Sequence, residues 1–284
     1  MQRDFCLGSE WLYYKIYTGV RTADTVLLEK LYPVILDLKE RNLISKWFFI
    51  RYKDSDEHLR IRFLTQTQDK LSEVIAALYP VFNQMLEENI VWKIQTDTYQ
   101  REIERYGKNT MIDSEFLFWM DSEMIVEYLT IKSSFKKDET QLLFSFCAID
   151  HFLNSFLKTN ADKLALMDVL QFSFKKEFDT DKNLKKEVNK QYQELSREID
   201  RFLTGKAQND FFEIFKMIQK KQNQANKTIL LIKNKLEIPL PEFLMSHIHM
   251  MINRQYTSKQ RMYELLIYDH LYRYYKMIQY KSIR

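Results

Sequence analysis

The first hundred residues switch repeatedly between a period of two and a helical period, and few folds accommodate the order in which they do so. Residues 58–64 (HLRIRFL) alternate basic and apolar side chains as far as Phe63, the mark of a strand with two unlike faces. Residues 11–17 (WLYYKIY), 46–52 (KWFFIRY) and 91–99 (VWKIQTDTY) are aromatic and β-branched runs of strand length. Between them, residues 22–41 and 66–88 have helical spacing, with Pro33 and Pro80 expected to kink or break them. KDSDE (53–57) is a polar turn. The order β-α-β-β-α-β predicts a split βαβ, ferredoxin-like sheet with two helices on one face.

Strand alternation then assigns side chains to faces. Leu59, Ile61 and Phe63 suit the helix side, which puts His58, Arg60 and Arg62 on the other. The same reasoning places Tyr13, Lys15 and Tyr17, then Arg51, then Lys93, Gln95, Asp97 and Tyr99 on that open face, with Arg101 following in parity. A solvated polar face is the plain reading of such a pattern. The alternative is an anion site: the cations are mostly arginine, and if the rest of the chain covers them they need anionic partners.

From residue 109 onward the pattern is helical: 113–131, 138–158, 160–176, 181–203, 208–235, 240–256 and 258–280, with Asp113, Asp138, Asn160, Asp181 and Ser258 as N-cap candidates. The fold class is therefore α+β, a sheet half over 1–108 packed on an all-helical half over 109–284 to form one unit. In SHIHMMINR, Ser246, His249 and Asn253 share a helix face, while His247 and Arg254 share another. His-x-His on one helix does not bring both rings to one metal, so His249 is read as a catalytic or hydrogen-bonding residue and no metal is expected.

Composition removes several function classes. With 43 Lys+Arg against 39 Asp+Glu there is no basic excess of the kind that marks a nucleic-acid binder. Gly8, Gly19, Gly107 and Gly205 cannot frame a phosphate loop, so no nucleotide cofactor is expected. Cys6 and Cys147 make no disulfide framework, no apolar run reaches spanning length, and the N-terminus has no signal-peptide core, so a cytoplasmic protein is expected.

SEWLYYKIYTG, WFFIRYKDSDEHLRIRF, YQREIERYG, EFLFWMDS and HMMINR occur in that order along nearly the whole chain. They resemble the C-terminal part of class I lantibiotic dehydratases, also called the thiopeptide-type bacteriocin biosynthesis domain. The resemblance implies β-elimination of glutamate from glutamylated Ser/Thr of a ribosomally made precursor peptide. It also implies that glutamylation, from glutamyl-tRNA, is done by a separate protein. A second branch that the chain resembles consists of pyridine synthases, which join two dehydroalanines by a formal four-plus-two cycloaddition. A non-catalytic peptide-binding subunit is a third reading, and a homodimer is left open. Carried over by motif, the catalytic residues are Arg60, Arg62, Arg101 and His249. Lys15, Arg51, Tyr13, His58, Asn253, Arg254 and Tyr99 are expected to bind substrate. RYGKN in place of the family's RYGG, and the absence of glycine after Asn253-Arg254, are departures that touch turns.

Overall fold

The computed structural model describes residues 1–135, 139–177 and 182–282. A short strand β1 (Asp4–Phe5) precedes β2 (Trp11–Tyr17). Helix α1 (Ala23–Thr25) runs through a π-helical stretch, Val26–Leu31, into α2 (Tyr32–Glu40). The wide π turn closes where Tyr32 N–H meets Leu27 O, and Pro33, which has no N–H to give, falls in the first turn of α2. The expected break is thus a local change of pitch. Strands β3 (Ile44–Lys53) and β4 (Glu57–Thr65) form a hairpin, followed by α3 (Leu71–Glu87), β5 (Lys93–Thr96), β6 (Tyr99–Gln100) and the short α4 (Ile103–Tyr106). Pro80 does not break α3. It lies on the exposed face of that helix, where water can satisfy the carbonyl it leaves free.

Four strands make an antiparallel sheet in the order β3-β4-β2-β5. The fourth expected strand, 91–99, is divided. Its ladder with β2 ends at Thr96, because the Asp97 carboxylate accepts from Thr98 N–H at 2.7 Å and turns the chain away. Tyr99–Gln100 pairs instead with β1.

One sheet face packs on α2 and α3: the Tyr14 ring meets Phe82 at 4.8 Å, and Tyr32 meets Trp47 at 6.0 Å. Register corrects one face assignment. Ile50 stands opposite Arg60 and Phe48 opposite Arg62, whereas Arg51 stands opposite Leu59. Arg51 is therefore on the helix-covered face, away from Arg60 and Arg62.

The remaining helices are α5 (Met111–Ile131), α6 (Thr140–Phe156), α7 (Asn160–Glu177), α8 (Lys182–Leu203), α9 (Phe212–Lys235), α10 (Leu240–Gln255) and α11 (Gln260–Ser282). Three cap expectations fail among the described residues. Thr110, three residues before Asp113, stands at the start of α5. Thr159 caps α7 in place of Asn160, through a reciprocal pair in which Asp162 N–H donates to Thr159 Oγ1 and Thr159 N–H to Asp162 Oδ2. Ser258 lies two residues before α11, and the expectations at Asp138 and Asp181 fall outside the described residues.

Helices α5 and α10 join the sheet at its β3 edge. An edge strand presents unpaired peptide groups, and these are matched by helix side chains. Asn253 accepts from Arg51 N–H at 2.9 Å and donates to Arg51 O at 2.8 Å. Arg254 Nε donates to Phe49 O at 2.9 Å, and Phe49 N–H donates to Ser122 Oγ at 3.3 Å. No helix among the described residues is long and apolar enough to cross a membrane.

Candidate active site

Where α10, α4 and α5 reach over the open sheet face, they enclose a cavity of about 490 Å³. Its floor is sheet: Tyr13, Phe48, Ile50, Tyr52, Arg60 and Arg62. One wall is the segment from Asp97 to Gln100 with Glu102, Arg105 and Tyr106, and the other is α10 with His249, Met250, Asn253 and Arg254.

Arg62 is the exceptional group. It is buried, its Nε has no hydrogen-bond partner, and it forms no salt bridge among the described residues. Its guanidinium lies 4.3 Å from the Tyr13 ring, 4.9 Å from Tyr99 and 5.2 Å from Phe48. Aromatic faces compensate a cation in part, and burial still pulls its pKa below the ordinary arginine value. Arg60 is half-buried, stacked 3.4 Å from the Tyr52 ring, and its Nε donates to His58 Nε2 at 3.1 Å. His58 itself does not line the cavity. Its Nδ1 bonds to Asp56 O at 3.0 Å, so the ring ties the 54–56 turn to Arg60, and burial depresses its pKa. Burial raises the pKa of Tyr13 against the opposing pull of Arg62, Arg60 and Lys15, so its phenol stays protonated and able to donate.

Other expected site residues are occupied elsewhere. Arg101 makes a two-point pair with Glu115, Nε–Oε1 at 2.6 Å and Nη2–Oε2 at 2.8 Å. Burial lowers its pKa, but the Glu115 carboxylate outweighs burial and the net direction is up. The same Glu115 receives the Tyr99 hydroxyl at 2.9 Å, and so fixes a ring that packs on Arg62. Arg101 thus acts behind the cavity wall. Lys15 pairs with Asp97 at 2.6 Å, and Arg51 with Asp24 Oδ1 at 2.6 Å and Arg254 O at 2.8 Å. The Asn253 amide is consumed by the Arg51 peptide groups. Arg254 keeps Nη1 without a hydrogen-bond partner, 3.7 Å from Asp121.

His249 is partly exposed in the cavity wall, and its Nδ1 lies 2.5 Å from Glu264 Oε1 of α11. His247 is buried among Tyr106, Phe118, Phe152 and Phe243, with neither ring nitrogen hydrogen-bonded among the described residues. Burial, then Arg254 and Lys221, hold it neutral. The sequence reading missed Glu264, Phe48, Tyr106, Glu102 and Arg105. Phe48 was recoverable, since it stands opposite Arg62 on β4, but the others are set by contacts between distant segments. No trio of His, Cys, Asp or Glu among the described residues could hold a metal ion.

A cavity with unmatched arginines on one side and a histidine–carboxylate pair on the other suits proton transfer beside an anion. Comparison with known proteins accords with that chemistry. Residues 11–275 match the family model for the lantibiotic biosynthesis dehydratase C-terminus. The chain belongs to this dehydratase family. It is 28% identical over 155 residues to the nisin biosynthesis protein NisB of Lactococcus lactis subsp. lactis, and 26% over 188 residues to the subtilin biosynthesis protein SpaB of Bacillus subtilis. Those matches cover 52% and 63% of this chain but only 15% and 18% of the relatives, so the dehydratase-family chain spans a small part of their length. Among solved structures, the tRNA-dependent lantibiotic dehydratase MibB of Microbispora sp. 107891 superposes with a TM-score of 0.77 at 17% identity, over 99% of this chain and 29% of MibB. The pyridine synthase TbtD from thiomuracin biosynthesis gives 0.65 at 13% identity, over 95% of this chain and 100% of TbtD. At these identities the likeness is one of fold.

Proposed function

We propose that this chain eliminates glutamate from glutamylated serine or threonine in a ribosomally made peptide, leaving dehydroalanine or dehydrobutyrine. The observation that carries the proposal is Arg62, a buried guanidinium with no salt-bridge partner among the described residues, facing the cavity that also holds His249. His249 takes the Cα proton on Nε2. The electron pair forms the Cα=Cβ bond, the Cβ–O bond breaks, and glutamate departs as a carboxylate with that bond's electrons. Arg62 and Arg60 receive carboxylate charge, and Tyr13 and Arg254 stand where a developing enolate-like oxygen could be met by donors. Arg101 serves as a positioning residue, through Glu115 and Tyr99, and His58 serves Arg60 in the same way.

This reading requires a supply of glutamylated peptide, and we assign that step to a separate protein using glutamyl-tRNA. A cytoplasmic setting follows, since charged tRNA is made there. We further read the four-stranded sheet as the ferredoxin-like unit. Its strand order supports this, and we place the division between the sheet half and the helical half, which supplies His249, at residues 108 and 109.

Mass spectrometry of a glutamylated precursor incubated with the chain tests the proposal. The expected product has lost glutamate and is one water lighter than the unmodified peptide. Arg62→Ala should leave the glutamyl adduct in place. The match to TbtD over its whole length favours one second reading, cyclisation of an already dehydrated peptide. A persistent adduct with the native chain, together with conversion of a dehydrated peptide, would put that reading first.

A further inference from the structure

The carboxylate that meets His249 is held from three sides. Glu264, in α11, is 1% exposed at its side chain. Its Oε1 lies 2.5 Å from His249 Nδ1 and also accepts from the Tyr268 hydroxyl at 3.2 Å. Its Oε2 accepts from Arg261 Nη1 at 2.9 Å. Arg261 is held in turn by Glu177 at the end of α7, and its guanidinium stacks 4.1 Å from the Phe174 ring. Both oxygens of Glu264 are thus committed, and the carboxylate has little freedom to swing away from the imidazole.

Which ring nitrogen it meets decides the chemistry. A neutral imidazole beside a carboxylate keeps its proton on the nitrogen that faces the acid, so Nδ1 donates and Nε2 is left as the acceptor. We propose that Glu264 is the positioning residue of His249: it selects the Nδ1–H tautomer, aims Nε2 at the cavity, and stabilises the imidazolium formed when Nε2 takes a proton. This rests on His249 being the base. Without Glu264 both tautomers are open to the ring, and one of them has no lone pair on the nitrogen that must accept.

The test combines a spectrum with kinetics. Side-chain nitrogen NMR of the full chain with labelled histidine, with the His249 signals assigned by their loss in His249→Ala, should show Nδ1 protonated and Nε2 bare in the neutral ring. In Glu264→Gln the Nε2–H tautomer should appear. Elimination kcat should fall roughly 10- to 100-fold with KM within about twofold, in line with the loss of a group that orients a reacting imidazole. Glu264→Asp should recover part of the loss. A native spectrum with the proton on Nε2 would overturn the proposal, and that result needs no variant to fold. So would Glu264→Gln with native tautomer and native kcat, when His249→Ala is inactive. If His249→Ala keeps the native rate, the base assignment fails and takes the positioning role with it, even though the tautomer is as expected.

Discussion

The arginines of this chain divide between two settings barely apart in the fold. At the sheet edge and behind the cavity wall, Arg51 and Arg101 are buried against Asp24 and Glu115. On the open face, Arg62 is buried to a similar degree against aromatic rings, with no salt bridge among the described residues. The side chain is the same and the burial nearly so, yet one set completes the protein and the other leaves charge unanswered. Removing one member of a buried ion pair strands its partner, whereas removing a lone buried cation strands nothing. The larger loss of stability should therefore fall on the paired arginines.

The largest expected effect is at Arg101. Arg101→Ala leaves the buried Glu115 carboxylate without its cation and should cost about 3–5 kcal/mol in urea unfolding. Adding Glu115→Leu to Arg101→Met should recover most of that loss. Failure to do so would mean that Arg101 stabilises by something other than pairing. Arg62→Ala is the inverse case: unfolding free energy within about 1 kcal/mol of native, with elimination slowed roughly 100- to 1000-fold, as for loss of one charge-stabilising donor. Equal damage to stability in both variants would erase the distinction between paired and unpaired arginines. Asn253→Ala should cost about 2 kcal/mol, since two edge peptide groups lose their partners. Hydrogen exchange at the Arg51 amide should quicken, with exchange in the middle of β4 little changed. Asp24, the carboxylate partner of buried Arg51, supplies a sign. Burial pushes its carboxyl pKa up, but Arg51 and Lys132 outweigh burial, and the net direction is down. A depressed folded pKa gives stability that is present above the unfolded value of about 4 and is lost as pH falls below it. Asp24→Asn should flatten the acid limb of a stability-against-pH curve, and an unchanged limb would remove Asp24 from that account.

Much of this was legible in the sequence, and the failures have physical causes. HLRIRF announced a two-faced strand, and Arg60 and Arg62 do share the cavity floor with Tyr13. Arg51 was misplaced because parity alone does not fix the register of a hairpin. The three-residue loop 54–56 sets even-numbered residues opposite even-numbered ones, and so turns Arg51 away from its expected neighbours. Arg101 was extrapolated along a strand that in fact stops at Thr96. Asn253 and Arg254 lie where the motif put them, but they answer peptide groups on β3, a use that no pattern of side chains reveals. Glu264 stood in plain view, fifteen residues past His249, but only the packing of α11 on α10 makes them partners.

The Asn253 clamp has a consequence for how this site can change over time. It grips the main chain of β3 and takes no interest in what side chain residue 51 carries. Because Asn253 sits one helical turn beyond His249, the same grip sets how far the imidazole stands from the cationic floor. That spacing is inherited from peptide geometry, which every sequence shares. Side chains around the cavity are then free to drift while the imidazole and the arginines keep their separation.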